Sequence, residues 1–199
     1  MTGTGTEVGK TWVGARVLSR LRADGLRVAA RKPAQSFAAG DGSTDADVLA
    51  EATGEDPGDV CPAHRWYERP LAPPMAADVL GRARFTVSDL VGEIGWPDGI
   101  DVGLVEGVGG PRSPLAADGD TVDLVRALAP SVVVLVADAG LGTINAVRLC
   151  AAALPAPLVV LNRYDRTDDL HARNRRWLAD ECGFDVATGV EEIADRLRP

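Results

Sequence analysis

Cysteine is scarce in this chain: Cys61, Cys150 and Cys182 are the only three, odd in number and widely spaced among 199 residues. A disulfide framework is therefore not expected, and a reducing cytoplasm is the expected setting. Long apolar runs are lacking as well. No stretch of about eighteen apolar residues offers a bilayer span, and no charged-then-apolar leader precedes the first motif, so no membrane partner is expected. Basic residues are outnumbered, 21 against 29 acidic ones, for a formal charge of -8. Nucleic acid is thereby disfavoured as a partner, since a phosphate backbone demands a basic face. A single nucleotide remains compatible if lysines, backbone N–H groups and a metal supply local positive charge. Histidine is rarer still. Cys61-Pro62-Ala63-His64 offers two metal ligands without a second pair, which argues against zinc. His64, His171 and Trp66-Tyr67 acquire no role, and no nucleophilic triad stands out.

What is present is a rhythm of short valine-rich runs and longer amphipathic stretches. Val28–Arg31, Asp101–Val105, Ser131–Ala137 and Pro157–Leu161 are apolar without strict alternation, as parallel strands covered on both faces should be. Helical periodicity fills the intervals at Lys10–Ala23, Asp45–Ala52, Thr86–Ile94, Thr121–Leu128, Thr143–Ala153 and Asp168–Cys182. Alternation of this kind predicts right-handed crossovers and a doubly wound, mostly parallel α/β sheet forming one domain over residues 1–199. A Gly/Asp/Ser loop is expected at Ala38–Thr44, and the Pro-rich Pro70–Pro74 reads as a structured turn.

The strongest chemical signal is Gly3-Thr4-Gly5-Thr6-Glu7-Val8-Gly9-Lys10-Thr11, leading straight into a helical pattern. Glycines let the backbone curl so that successive N–H groups point at phosphate oxygens, and the helix N-terminus adds partial positive charge. Lys10, expected to be exposed, would reach the β- and γ-phosphates, and the Thr11 hydroxyl would ligate magnesium. Five residues separate Gly3 from Gly9, one more than the common phosphate-binding loop has. A hydrophobic strand normally leads into such a loop. Here only Met1 and Thr2 precede Gly3, so that strand is expected to be missing or truncated.

Four further positions fall on the rim where strands of such a sheet end and ligands bind. Glu106 closes the DVGLV run ahead of Gly107-Val108-Gly109-Gly110 and could hold a metal or simply end a strand in a turn. Lys32 closes another strand, with Ser36 in the same loop; either could face solvent. Asp45 opens a helix, where a cap or a dipole partner is the plain reading.

Taken in order, Gly-Thr-Gly-Thr-Glu-Val-Gly-Lys-Thr, Lys-Pro-x-x-Ser, Thr-Asp-Ala, Val-Glu-Gly-x-Gly-Gly and Gly-Leu-Gly-Thr-Ile-Asn resemble dethiobiotin synthetase, from Thr2 to about Asn162. The resemblance implies a homodimeric cytoplasmic P-loop enzyme of biotin synthesis. Such an enzyme joins 7,8-diaminopelargonate and CO2 into a cyclic urea with ATP and Mg2+. It implies nucleotide contacts from Gly5, Thr6, Glu7, Val8, Gly9, Lys10, Thr11, Glu106, Gly109 and Asn162, and a metal held by Thr11, Asp45 and Glu106. Lys10, Lys32, Thr6 and Ser36 would line the reacting junction. The diamine would meet Lys32 and Ser36, with Thr143, Ile144 and Asn145 of the partner subunit receiving its carboxylate. Asn162-Arg163-Tyr164-Asp165 also looks like the guanine reader Asn-Lys-x-Asp, although ATP is favoured. Gly183–Pro199 lacks the Gly-x-Ile-Pro type of loop that helps clasp adenine in the family. Two alternatives remain: a partitioning or maturation ATPase, whose additional early lysine is absent at Thr4–Thr6, and a non-catalytic nucleotide-binding module.

Overall fold

The computed structural model describes residues 1–40 and 42–199; Asp41, within the Gly/Asp/Ser loop, lies outside the described residues. In chain order the elements are β1 (Thr2–Gly3), α1 (Lys10–Ala23), β2 (Val28–Arg31), β3 (Gln35–Ser36), α2 (Asp45–Thr53), α3 (Pro57–Val60), β4 (Trp66–Tyr67), α4 (Pro73–Val79), α5 (Val87–Glu93) and β5 (Val102–Val105). There follow α6 (Thr121–Leu128), β6 (Val134–Asp138), α7 (Thr143–Ala151), β7 (Leu158–Asn162), α8 (Asp169–Arg176), β8 (Val186–Ala187) and α9 (Val190–Leu197). None of the described helices is long and apolar enough to cross a membrane.

Every strand pairing is parallel. One sheet runs β1-β6-β7-β8, a second pairs β2 with β5, and a short third pairs β3 with β4. Met1 links the first two: its amino group donates to Val105 O at 2.6 Å and its carbonyl accepts from Gly107 N at 3.0 Å. On its other side, Thr2 stands opposite Leu135. The strand order is thus β2, β5, the Met1–Gly3 strand, β6, β7, β8.

Period-two alternation assigns the sheet's two faces. Val134, Val136, Leu158 and Val160 point toward α1, α2 and α9, while Leu135, Ala137, Val159 and Leu161 point toward α7 and Leu178. Helices therefore cover both faces, as the continuous apolar runs predict. A third apolar cluster, with Tyr67, Phe85, Leu90 and Leu115 buried, ties α4 and α5 to the β3–β4 ribbon.

A strand does lead into the loop: β1, with Met1 ahead of it, lies between β5 and β6. Between β5 and β6 is a cavity of about 750 Å³ lined by Met1, Leu104, Val105, Leu124, Val134 and Leu197 among others. Parallel pairing alternates the direction of backbone groups. Glu106 N bonds to Arg31 O while Gly107 N bonds to Met1 O, so Gly103 and Val105 turn their N–H groups into this slot.

Other boundaries shift for local reasons. Pro73 opens α4 at its first turn, where a missing N–H costs nothing, so the Pro-rich segment is a helix start as well as a turn. Ser131–Val133 are not part of β6, which begins at Val134. The expected Asp168–Cys182 helix is α8 with Asp168 as N-cap, running into a π-helical turn at Trp177–Glu181.

Candidate active site

The segment between β1 and α1 curls into a closed loop. Glu7 and Gly9 adopt left-handed φ values of 61° and 89°, reversing the chain so that α1 begins at Lys10. Five contacts hold the loop's shape. Thr4 N donates to Val136 O, the Lys10 ammonium donates to Gly5 O at 2.9 Å, and Asn162 Nδ2 donates to Val8 O at 3.0 Å. Arg163 donates to Glu7 O at 3.0 Å while pairing with Asp138, and Cys150 Sγ lies 3.9 Å from Thr4 O. Gly9 is obligatory here, since a Cβ there would fall 2.1 Å from Asn162 Nδ2.

Lys10 is not exposed as the sequence reading expected. It is 7% accessible, and its stem lies 3.1 Å from where a Cβ on Gly3 would be. β1 delivers Gly3 beneath the lysine, so the aliphatic chain is covered and the ammonium bends to the loop. Burial, reinforced by Lys32, lowers the Lys10 pKa.

Beside the loop, the ends of β2 and β5 meet the starts of α1 and α2. Lys32 Nζ lies 2.6 Å from Glu106 Oε1 and 2.6 Å from Asp45 Oδ2, and it also reaches Gly107 O at 3.3 Å. Lys32 is 2% exposed and Glu106 is fully enclosed at 0%. Burial works against charge on Lys32, but Glu106 and Asp45 outweigh it and hold the pKa above the ordinary lysine value. For Asp45, burial acts to raise the pKa, and Lys32 more than offsets it, leaving the carboxyl below its usual range.

Thr11 Oγ1 lies 2.8 Å from Asp45 Oδ1 and 2.9 Å from Glu106 Oε1. A hydroxyl has one proton, so it can donate to only one of these carboxylates. The other contact sets two oxygens side by side with no hydrogen between them. Glu106 Oε2 is also buried without a hydrogen-bond partner. A cluster of three hard oxygens with too few protons suits a hard cation such as Mg2+.

Asp45 is free for this role because it does not cap its helix. Thr44 is the N-cap of α2, in a capping box with Asp47, and Asp45 is the first helical residue. Gln35 sets the helix start: its Oε1 accepts from Ala46 N and its Nε2 reaches Thr44 Oγ1. The sequence reading missed Gln35, since one buried glutamine beside the flagged Ser36 carries no pattern.

Of the remaining predicted positions, Thr6 and Gly109 approach each other, a Cβ on Gly109 falling 3.8 Å from Thr6 Oγ1. Gly5, Glu7 and Val8 lie in the loop itself. Ser36 is half-buried at the end of β3 and makes no bond to the lysine–carboxylate cluster. Asn162 is 8% exposed, with its amide nitrogen committed to the loop. Gly142 opens α7 in a left-handed conformation without a side-chain cap, and Thr143 Oγ1 is buried and unpartnered. Asn174, also missed, donates at 2.9 Å to both Ala139 O and Gly140 O and so fixes the turn that presents this helix start.

A family model described as an AAA domain matches residues 1–191. Among curated proteins, the chain is 45% identical to the ATP-dependent dethiobiotin synthetase of Rhodococcus jostii, over 78% of this chain and 67% of the relative. It is 41% identical to that of an Anaeromyxobacter species, over 85% and 78%. For Streptomyces coelicolor the identity is 36%, over 100% and 85%. The chain belongs to the dethiobiotin synthetase family. It is an enzyme of that type, an ATP-dependent ligase of biotin biosynthesis.

Solved structures support the fold independently. The signal recognition particle receptor FtsY of Elizabethkingia anophelis superimposes with a TM-score of 0.52 at 15% identity, over 98% of this chain and 63% of that one. Chloroplast FtsY of Physcomitrella patens gives 0.53 at 17% identity, over 96% and 62%. The chain thus spans about three fifths of each, and at such identities the likeness concerns the fold alone.

Proposed function

We propose that the chain closes the cyclic urea of dethiobiotin from 7,8-diaminopelargonate and CO2, using ATP and Mg2+. The observation that carries this reading is the buried cluster of Lys32, Glu106, Asp45 and Thr11 beside a phosphate-binding loop that carries Lys10. A carbamate on one amine of the diamine attacks the γ-phosphorus, forming a carbamic–phosphoric anhydride and releasing ADP. The second amine then attacks the carbamoyl carbon, loses its proton and expels phosphate. Both reactants of the first step are anions, so fixed positive charge is needed where they meet. Lys10 and Lys32 supply it, and Thr6, Ser36 and Gly109 border the junction. Thr11, Asp45 and Glu106 would hold Mg2+, which would neutralise phosphate charge there.

The base would lie in the cavity of about 520 Å³ bordered by Gly9, Trp12, Asn162, Tyr164, Thr188 and Ile193. The C-terminal stretch therefore contributes Thr188 and Ile193 to this wall despite lacking the expected loop. Adenine is favoured over guanine because one oxygen of the Asp165 carboxylate, Oδ1, already accepts from Thr167 N and Oγ1, which leaves a single oxygen for the paired N–H groups of a guanine edge.

The assay that tests the reading is phosphate release, which should be stoichiometric with product and dependent on both 7,8-diaminopelargonate and bicarbonate. Release indifferent to the diamine would instead support a maturation-type ATPase. No release, with nucleotide bound, would support the binding module.

The active unit is a homodimer in the cytoplasm, with the uncapped start of α7 receiving the diamine's carboxylate in the neighbouring subunit. Leu141 and Leu149, 91% and 68% exposed in the single chain, support a second copy covering this helix. Mixing Asn145→Ala and Lys10→Ala chains should then yield heterodimers with about half the sites of a wild-type dimer, one site inheriting both intact elements. Mixtures shown to exchange subunits without regaining activity would place the carboxylate site elsewhere.

A further inference from the structure

Lys32 lies where the proposed metal site would be expected to be open. Its ammonium contacts one oxygen of Asp45 and one of Glu106 at 2.6 Å, and that Glu106 oxygen is the one facing Thr11. A divalent cation bound by Thr11, Asp45 and Glu106 would compete with this ammonium for carboxylate charge.

We propose that Lys32 is a resident counter-cation: it holds the two carboxylates together in the nucleotide-free protein and makes divalent-cation binding conditional on nucleotide phosphate. The inference rests on the metal-site reading given above. Charge arithmetic carries it further. Lys10 and Lys32 balance Asp45 and Glu106, so the cluster is already neutral. A divalent ion entering alone would bring two further positive charges against two ammonium groups, Lys10 and Lys32, that are themselves buried and so poorly screened by water. A triphosphate arriving with the ion reverses the balance and offers both lysines new partners. The order of binding is thus built into the fold, and metal enters with nucleotide. Rigidity supports the assignment. Lys32 lies 2% exposed at the end of β2, and its backbone N–H is held at 2.8 Å by Val60 O. Asp45, with a side chain 42% exposed, is the partner with freedom to move.

Electron paramagnetic resonance of free Mn2+, titrated with protein, measures this directly. Nucleotide-free wild type should bind Mn2+ weakly, and a non-hydrolysable ATP analogue should restore tight binding. Lys32→Met should bind Mn2+ without nucleotide about tenfold more tightly than wild type, or better, because the competing charge is gone. Should Lys32→Met not fold, Lys32→Gln takes its place: it removes the charge but keeps a hydrogen-bond donor for the enclosed Glu106, and it should show the same gain in Mn2+ affinity. Equal Mn2+ affinity in wild type with and without nucleotide, or no gain on removing Lys32, overturns the counter-cation role. Failure of the underlying metal site looks different. In that case Asp45→Asn and Thr11→Val would leave Mn2+ binding to the nucleotide complex unchanged.

Discussion

Lys10→Met is expected to lower kcat by on the order of 10³-fold while lowering the unfolding free energy, from denaturant titration, by no more than about 1.5 kcal/mol. The two readouts separate because the two ends of this side chain do different things. The stem is buried against Gly3, and methionine fills nearly the same volume. The ammonium folds back to Gly5 O, spanning the loop at the point where a transferred phosphate would lie. Burial, reinforced by Lys32, already lowers its pKa, so an anionic ligand beside it would favour the charged form. Alanine is the poorer substitution, since it would also leave a gap beneath the loop. Turnover close to wild type in Lys10→Met would remove the lysine, and with it the phosphate-binding assignment, from the mechanism.

Glu106→Ala should be costly in both stability and rate. The carboxylate is wholly enclosed, and its removal leaves the buried Lys32 ammonium with only the more exposed Asp45 as counter-ion. Breaking such a pair on one side costs about 3–5 kcal/mol, because a charge stays buried without its partner. In a domain of this size the melting temperature should fall by roughly 10 °C. Glu106→Gln divides the two functions. It keeps an oxygen acceptor of nearly the same shape and should recover the part of the stability owed to the hydrogen bond, not that owed to the countercharge, yet it removes the anionic ligand and should remain about as inactive. A Gln variant with normal rate and ordinary magnesium dependence would make Glu106 structural.

Much of the chemistry was readable from the sequence because phosphate loops are local. Nine consecutive residues, Gly3–Thr11, encode curl, charge and hydroxyl together, and α1 begins where the motif ends. The convergence of Lys32, Asp45 and Glu106 was legible through a topological rule, since all three follow strand ends or open helices on one rim. Less legible were features fixed by single bonds over long separations. Gln35 setting the start of α2 and Asn174 holding the turn before α7 carry no periodicity. The two-residue strands β3, β4 and β8 are too short for an alternating pattern to show. Asn162 was flagged as a base contact. The bond it makes, to Val8 O, braces the loop from β7. Lys10 was misjudged on exposure because a short motif says nothing of what lies beneath it.

The cavity between β5 and β6 has a practical corollary for anyone handling the protein. Met1 and Arg196–Pro199 border it together, so a peptide joined at either position lies next to the strand edge of β5. A purification handle at the amino end is therefore a structural ingredient. Melting temperatures of tagged and untagged protein should be compared before either is taken as the reference, and a handle rich in valine or isoleucine should differ most from one rich in glycine and serine.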